Sequence, residues 1–426
     1  MPARRSPLLL LLTTATALAG SIALVGATIH PVSTEPIEAG VVLIEDDRIA
    51  AVGDQESVSI PDDAEIIDVT GKVIIPGLID LHSHIGGGRL HDHLAVAQAG
   101  LSAADAIDPS HISIQRAQAG GITTANVMPG SGKLMGGQTV YLDLIDTRTI
   151  DNMLRCTETA ADEVARWGGI CGGMKMANGT NPQGNSGDPA SRMGSAYLQR
   201  QTLQEGVDRL AEYPDLTLPK RKRGSPPEPE PAADALAQII AGQRIVHFHT
   251  HRADDIITAL RLRETFGFQL VIQHGSEGFK VADALLEAGV PVAINVLDTP
   301  GGKEETVERR LENPAILDRA GVPIALISDD PVQDSRLLLR TGGLAVRGGL
   351  PAESALRALT LAPAEMIGLA DHIGSLEVGK EADLVVLSGP PLSTWSLVQQ
   401  TWNNGAVVFD RATDAAHATG GDERIP

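Results

Sequence analysis

Two histidines one residue apart are the first residues of this sequence that could do chemistry. His82 and His84 follow the apolar run Val73-Ile-Ile-Pro-Gly-Leu-Ile-Asp-Leu, which is typical of a strand buried on both faces. Residues two apart on a strand project to the same side, so the two imidazoles face one point and could hold a divalent metal. Two ordinary histidines at the edge of a loop are the alternative that this pair alone leaves open.

Further side chains of metal-ligand type follow later apolar runs. His247, His249 and His251 come after Arg244-Ile-Val, His274 ends Gln269-Leu-Val-Ile-Gln, and Asp329 ends Val322-Pro-Ile-Ala-Leu-Ile-Ser. In a parallel barrel the carboxyl ends of the strands meet on one face, where barrel enzymes carry their chemistry. The sequence therefore predicts one metal site at that face. The three histidines of the first run share a strand face, so spacing alone does not say which of them binds the metal.

The middle of the chain alternates between apolar runs and helical patterns. Strands are predicted around residues 122–127, 140–144, 170–176, 245–248, 270–273 and 290–295. The runs that begin at Ala253 and at Val281 predict helices, and Gly289 is a stop signal for the second. Such alternation indicates a parallel sheet with right-handed crossovers. We expect an α/β fold in which residues 77–372 form a (β/α)8 TIM-like barrel, because a closed barrel fits the ligand distribution better than an open sheet.

Short strands are predicted at both ends of the chain. Gly40-Val-Val-Leu-Ile-Glu and Glu65-Ile-Ile-Asp-Val precede the barrel, and Ala382-Asp-Leu-Val-Val-Leu and Gly405-Ala-Val-Val-Phe follow it. Neither set is large enough to close a core alone. We therefore expect residues 20–76 and 373–410 to pair into one small β-sandwich. Residues 411–426 are polar and predict a flexible tail.

Residues 1–19 have the order of a secretory signal peptide. Arg4-Arg5 precedes an apolar run that starts at Leu8, and Ala17-Leu-Ala19 is a small-x-small cleavage pattern. We expect cleavage after Ala19 and an exported protein, periplasmic or secreted, with no stable membrane span after cleavage. An uncleaved anchor is the alternative, and Sec or twin-arginine export stays open. Cys156 and Cys171 either form one disulfide or are small buried residues.

The composition excludes some partners. A formal charge of −20 and an aromatic content of 3% argue against nucleic acid, because a basic surface and base-stacking platforms are both missing. Lys220-Arg-Lys-Arg223 is the local exception, and the Pro-rich stretch after it indicates a solvated surface loop. With 426 residues the chain can hold a barrel of about 250 residues and a smaller domain. The partner we expect is a small-molecule substrate; a homo-oligomer is left open.

The motifs together resemble those of the amidohydrolase superfamily of metal-dependent hydrolases. The resemblance rests on Pro76-Gly-Leu-Ile-Asp-Leu-His82-Ser-His84, on Gly120-Gly-Ile-Thr-Thr and on the tail Gly374-Ser-Leu-Glu-Val-Gly-Lys-Glu-Ala-Asp. These runs are similar to the branch around imidazolonepropionase and the related dipeptidases. The resemblance implies one or two divalent metal ions, most naturally zinc, and it implies the ligands His82, His84, His249, His274 and Asp329.

Lys175 is a charged residue inside the apolar run Gly173-Met-Lys-Met-Ala. Burying a bare ammonium is costly unless it is paired or neutralised. The resemblance implies that CO2 carboxylates this lysine and turns it into an anionic ligand that bridges two metals. A lysine that reaches a nearby carboxylate is the alternative. Asn178-Gly-Thr-Asn181 stands where relatives often carry an acidic residue, so the number of metal ions stays open.

The reaction that the resemblance implies is hydrolysis of an amide or peptide C–N bond in a small substrate. The metal would lower the pKa of bound water to about 7, and Asp329 would take the proton and pass it to the leaving amine. His251 and Arg252 form a donor pair suited to a carboxylate, which favours dipeptides or N-acyl amino acids. Arg252 could instead start a helix and face solvent. Hydrolysis of a cyclic amide such as an imidazolone or lactam, deamination, and a non-catalytic metal-binding barrel are the alternatives.

Overall fold

The computed structural model describes residues 20–88, 90–156, 170–184, 189–217, 228–297 and 302–414. The predicted signal peptide, at residues 1–19, and most of the predicted flexible tail lie outside these ranges. Within them, no helix combines the length and the apolar character needed to cross a membrane.

Strands and helices alternate through the middle of the chain, and the ends contain strands alone. The strands in chain order are β1 (Ile22–Ile29), β2 (Ile37–Glu45), β3 (Arg48–Asp54), β4 (Glu65–Asp68), β5 (Val73–Pro76), β6 (Leu78–Ser83), β7 (Ile122–Val127), β8 (Met135–Gln138), β9 (Val140–Asp143), β10 (Met174–Ala177), β11 (Val246–Thr250), β12 (Leu270–His274), β13 (Val292–Ile294), β14 (Ile324–Leu326), β15 (Leu384–Leu387), β16 (Val398–Asn403) and β17 (Ala406–Asp410). The α-helices are α1 (Ile112–Ala119), α2 (Arg192–Glu212), α3 (Pro231–Ile240), α4 (Ala253–Phe266), α5 (Ala282–Ala288), α6 (Asn313–Arg319), α7 (Leu338–Arg347), α8 (Ala352–Arg357) and α9 (Leu361–Met366).

The two ends of the chain form one eight-stranded sheet. Its order is β17-β16-β15-β5-β1-β2-β3, with β4 paired to β1, and the two ends meet where β5 runs antiparallel to β15. Buried apolar side chains from both ends, among them Ile74, Leu384 and Trp402, pack together on this sheet. The ends therefore associate as expected. The predicted two-layer sandwich is not confirmed, because these strands are hydrogen-bonded in a single order.

The barrel region contains a six-stranded sheet, β14-β13-β12-β11-β10-β8, and a three-stranded sheet, β6-β7-β9. Neighbouring strands from β10 to β14 are parallel, but β8 runs antiparallel to β10 and β9 runs antiparallel to β7. The sheets are mixed and the strand pairing does not close, which corrects the expectation of an all-parallel closed barrel. An apolar run shows that a strand is buried but carries no information about its direction.

Residues 135–143 lie between the two sheets, since β8 pairs with one and β9 with the other. On the opposite side Ser83 forms a single parallel bridge with Asp330. The backbone N–H of Asp329 donates to His82 at 2.9 Å, and that of His84 donates to Asp330 at 3.0 Å. These bonds bring the end of β6 beside the segment that follows β14.

Both predicted helices are present, and so is the disulfide that the sequence leaves open as one of two alternatives. The helices at Ala253–Phe266 and Ala282–Ala288 end at Gly267 and Gly289, whose φ values of 76° and 61° are left-handed conformations that glycine adopts without steric cost. A disulfide joins Cys156 to Cys171, with the Cα atoms 3.9 Å apart.

Candidate metal centre

Three histidines from two strands surround the carboxylate of Asp329. Oδ1 of Asp329 lies 3.4 Å from Nε2 of His82 and 3.3 Å from Nε2 of His84, and Oδ2 lies 3.9 Å from Nδ1 of His274. His82 lies on β6, His274 is the last residue of β12, and Asp329 follows β14. Strand ends far apart in sequence thus converge on one point, as the spacing predicts.

A second group of possible ligands overlaps the first at His274. Nitrogen atoms of His249, His251 and His274 all lie within 4.8 Å of one another, as do the ligand atoms of His82, His274 and Asp329. The ring centroids of His249 and His274 are 4.5 Å apart. The five ligands that the resemblance implies therefore lie in one cluster: His82, His84, His249, His274 and Asp329. Their roles as metal ligands stay predictions.

The cluster fits a divalent metal on two grounds. Burial, with neighbouring positive groups, lowers the pKa of His82, His249 and His274 well below its usual value, so these imidazoles are neutral and offer a lone pair. Nδ1 of His249 is buried without a hydrogen-bond partner in the part of the chain that the structure describes. Buried polar atoms normally have a partner, so this orphan fits a ligand that binds in the cluster.

Lys175 lies at the base of the cluster and is fully buried. Its Nζ is 3.1 Å from Nε2 of His82 and 3.0 Å from Sδ of Met128. Burial lowers the pKa of Lys175 to about 7, against the opposing attraction of Asp329. Much of the amine is therefore uncharged near neutral pH, which is the form that reacts with CO2. The structure brings Lys175 to the place where a bridging ligand is predicted, and carboxylation stays a prediction.

A buried carboxylate that the sequence reasoning missed fixes the relative position of two strand ends. Oδ1 of Asp80 accepts from the backbone N–H of His82 and of Ser328, each at 3.2 Å, and Oδ2 accepts from the Ser328 hydroxyl. Burial raises the pKa of Asp80 to about 7. Ser328 directly precedes Asp329, so Asp80 locks the general-base candidate to the His82 strand. A carboxylate inside an apolar run was the available signal.

Two residues of the cluster have strained backbones. His274 has φ 71° and Asp329 has φ 58°, left-handed values that residues other than glycine rarely adopt. Such conformations persist where surrounding contacts enforce them, and they concentrate at functional sites. Here the backbone bond from Asp329 to His82 and the contacts of Ser328 supply that enforcement.

A chain of buried hydrogen bonds leads away from His82. Nδ1 of His82 lies 3.0 Å from Oε1 of Gln273, Nε2 of Gln273 lies 3.0 Å from Nδ1 of His247, and Nε2 of His247 lies 3.0 Å from the hydroxyl of Tyr141. The amide oxygen accepts, so Nδ1 of His82 carries the proton and Nε2 is free to face Asp329. His247 thus lies behind the cluster. Gln273 was missed, although a polar residue in a buried strand was a signal.

The predicted substrate residues differ in their surroundings. His251 is buried, its Nδ1 lies 2.8 Å from the Ser276 hydroxyl, and its ring stacks on that of His274 with centroids 4.8 Å apart. The guanidinium of Arg252 instead donates to both carboxylate oxygens of Asp254, at 2.9 and 3.0 Å, and its side chain is 39% exposed. His251 therefore belongs to the cluster, whereas the guanidinium of Arg252 is paired with Asp254 at the start of α4.

Comparisons with known proteins place these residues in a family context. The pattern of the Amidohydrolase family matches residues 73–410. Amidohydrolase tasK of Hapsidospora irregularis is 27% identical over 396 residues, which are 87% of this chain and 40% of that protein. This chain therefore spans less than half of that relative. Imidazolonepropionase of Thermoplasma acidophilum is 24% identical over 421 residues, which are 88% of this chain and 92% of that protein.

A solved structure is similar over nearly the whole chain. It is an amidohydrolase from Thermotoga maritima that is 33% identical, with a TM-score of 0.81, and the alignment covers 92% of this chain and 100% of that one. This similarity implies a TIM-barrel-like α/β fold for the region that holds the histidine cluster.

Proposed function

Because this chain belongs to the amidohydrolase family and is a hydrolase of carbon–nitrogen bonds, we propose that it cleaves the amide or peptide bond of a small amino-acid derivative, such as a dipeptide or an N-acyl amino acid. The observation that carries the proposal is the position of Asp329. Its carboxylate lies within 3.4 Å of His82 and His84 and 3.9 Å of His274. A carboxylate among imidazoles is the donor set of a catalytic metal site with a built-in base.

The residues that would hold the metal are His82, His84, His249, His274 and Asp329. We propose zinc, since imidazole and carboxylate ligands suit it. Lys175, as a carbamate, would add an anionic ligand between two ions. Its Nζ lies 3.1 Å from Nε2 of His82, which supports this placement.

The chemistry follows from the surroundings of each residue. A metal bound here would lower the pKa of water to about 7 and polarise the scissile carbonyl. Asp329 then accepts the proton of the attacking water and returns it to the departing amine. Asp80 keeps Asp329 in place through Ser328, and Gln273 keeps Nε2 of His82 free of its proton. His251, held by Ser276, is positioned to contact the substrate.

Hydrolysis of a cyclic amide is the second candidate. Its support is the similarity to imidazolonepropionase, which extends over 88% of this chain. Ring opening and dipeptide cleavage share the same attack on a carbonyl carbon, so the metal cluster is compatible with both. A non-catalytic barrel is disfavoured because the candidate base Asp329 lies among all the histidines that are predicted to bind metal.

A substrate screen with matched variants tests the proposal. Purified wild type is assayed against dipeptides, N-acyl amino acids, lactams and imidazolones, alongside Asp329→Asn and Asp330→Asn. Asp330 is the matched control, because its carboxylate accepts from the backbone and hydroxyl of Ser335 and takes no part in the cluster. We expect turnover of acyclic amides that Asp329→Asn abolishes and Asp330→Asn preserves. Turnover confined to cyclic amides would establish the second candidate, and undiminished activity of Asp329→Asn would remove the base from the mechanism.

We also propose that the protein is exported and cleaved after Ala19. The Cys156–Cys171 disulfide supports this location, since disulfides persist in oxidising compartments. Amino-terminal sequencing of protein recovered from its host should begin at Gly20. Intact Met1 or Pro2 on soluble cytoplasmic protein would contradict export.

A further inference from the structure

Arg309 has donor groups that the fold leaves without acceptors. Its Nε and Nη1 atoms are buried and make no hydrogen bond to any residue within the described ranges. A guanidinium offers five N–H donors, and buried donors are nearly always paired in a folded protein. The neighbouring Arg310 differs, because its guanidinium carbon lies 4.0 Å from the centroid of the Phe279 ring. Nε and Nη1 of Arg309 are therefore donors for which the described residues supply no acceptor.

Hydrogen bonds hold residues 303–309 beside the metal cluster. Nζ of Lys303 donates to Oδ1 of Asn181 at 2.7 Å, and Nδ2 of Asn181 lies 3.2 Å from Nε2 of His249. One side chain thus separates Lys303 from a candidate metal ligand. Buried Glu305 accepts from the backbone N–H of Thr180 at 2.9 Å and holds the same loops together. The segment that carries Arg309 is accordingly placed at the mouth of the site by contacts that do not involve Arg309.

The segment turns tightly between its two cationic residues. The Thr306 hydroxyl donates to the carbonyl of Lys303 at 2.9 Å, and the backbone N–H of Arg309 donates to the carbonyl of Thr306 at 3.0 Å. These bonds make the loop a rigid support, so its side chains need little further ordering when a ligand binds.

The charges of Lys303 and Arg309 reach the cluster. Both cations are among the charged groups that act on His251 and His274. Burial lowers the pKa of Arg309 itself, against the attraction of Asp329. Two acidic residues of the same segment are paired elsewhere, Glu305 with Arg192 at 3.7 Å and Glu308 with Lys280 at 2.9 Å. Lys303 and Arg309 can therefore attract an anionic ligand to the cluster.

We propose that Arg309, with Lys303 beside it, binds the carboxylate of the substrate and so restricts the enzyme to amides that carry a free carboxylate next to the scissile bond. An arginine fork binds a carboxylate through two parallel hydrogen bonds, which matches the paired orphan donors. This inference rests on the proposed function and names its substrate class. The contact with the substrate carboxylate is thereby assigned to Arg309, on a loop distant in sequence. The guanidinium of Arg252 is already paired with Asp254.

The kinetic test compares each acid substrate with its neutral amide. N-acetyl-L-amino acids and the matching carboxamides share one scissile bond and differ in the anionic group. We expect Arg309→Gln to lower kcat/KM for the acids by about 30-fold or more, as expected for truncating one partner of a buried charge pair, and for the carboxamides by less than about 3-fold. Arg310→Gln, the matched control, should change neither, and Arg309→Lys should recover part of the loss. Equal losses on acid and carboxamide would overturn the proposal.

A binding measurement separates this inference from the proposed function. Calorimetry with the metal-loaded Asp329→Asn variant and N-acetyl-L-amino acids needs no turnover. We expect binding that is at least about 10-fold weaker when Arg309→Gln is added, at unchanged metal content and unfolding midpoint. If wild type cleaves neither series but this difference holds, the proposed reaction fails and the anion site stands. Equal affinity in both variants, or no binding by either, would overturn the anion site itself.

Discussion

Replacing Gln273 by leucine should weaken the metal site without removing any ligand. The Gln273 side chain is fully buried and joins Nδ1 of His82 to Nδ1 of His247, each at 3.0 Å. Leucine has nearly the same volume, so little cavity results. Both imidazole nitrogens lose their partner, and leaving a buried polar atom unsatisfied costs about 1 to 3 kcal/mol. We expect a loss of roughly 2 to 6 kcal/mol in the free energy of unfolding of metal-depleted protein.

The effect on the metal follows from the orientation of His82. Without the acceptor at Gln273, neither the tautomer nor the ring angle of His82 is fixed, and loss of such supporting contacts typically weakens metal affinity about 10- to 100-fold. Competition with a chromogenic chelator measures this affinity, and urea unfolding measures the stability. Gln273→Glu should keep affinity near that of wild type, because a carboxylate still accepts from His82. If the leucine variant does not fold, the metal affinity of Gln273→Glu still tests the role of this hydrogen bond.

The matched control for this experiment is Gln269→Leu, one strand length away. That side chain is exposed and donates to the carbonyl of Gly242 at 3.1 Å, so its removal should change stability by less than about 0.5 kcal/mol. A folded Gln273→Leu protein that binds metal as tightly as Gln269→Leu would refute the supporting role of the hydrogen-bond chain.

Three further outcomes are expected. Lys175→Ala should lose at least one of two metal ions by elemental analysis, whereas one ion in both proteins with equal activity would make Lys175 structural. Burial lowers the pKa of His247 from 6.5 to about 3, so between these pH values the unfolded chain binds more protons than the folded protein. The free energy of unfolding of metal-depleted protein should therefore fall by about 1.4 kcal/mol per pH unit below 6.5 because of this group. His247→Gln should flatten the urea-midpoint slope and exposed His372→Gln should not; equal slopes would contradict the prediction. Arg252→Ala breaks only a partly exposed pair with Asp254 and should cost less than about 1 kcal/mol with no acid-selective loss of kcat/KM; an acid-selective loss would restore the carboxylate to Arg252.

The family, the hydrolase class and the convergence of the candidate ligands could be predicted from local sequence because each depends on short patterns. His82 and His84 alternate on one strand, and His274 and Asp329 follow buried strands, so the convergence needs only the rule that parallel strand ends share a face. The membership of the amidohydrolase family and the hydrolase class, predicted from the same motifs, are confirmed by the family match over residues 73–410.

The hydrogen bonds that support the candidate metal ligands could not be predicted from the spacing of residues in the sequence. Gln273 contacts His247 because β11 and β12 are paired, whereas Tyr141 reaches His247 from β9 in the other sheet. Arg309 lies on a loop that Glu305 and Asn181 hold in place. Some of these contacts join residues more than a hundred positions apart, such as Tyr141 with His247 and Thr180 with Glu305. Arg252 shows the same limit, since its place beside His251 in the sequence does not reveal that its guanidinium pairs with Asp254.

Strand direction and layer number were the fold features that patterns did not determine. Residues 140–144 are predicted as a strand, yet nothing in their apolar character shows that β9 runs antiparallel to β7, and β8 at Met135–Gln138 is not predicted at all. Similarly, the short strands at residues 20–76 and 373–410 predict association of the two ends. One continuous sheet and two packed layers bury the same alternating residues, so the pattern does not separate them.

Metal titration of depleted enzyme tests whether the histidine cluster holds a catalytic metal. Protein stripped of metal with a chelator is supplied with increasing zinc, and turnover of an amide identified in the screen is followed as a function of ions added per chain. We expect no activity at the start, a rise with added zinc and saturation at one or two ions, with no recovery in a His82→Ala, His84→Ala double variant. Full turnover by stripped wild type, or by the double variant, would contradict a catalytic metal held by this cluster.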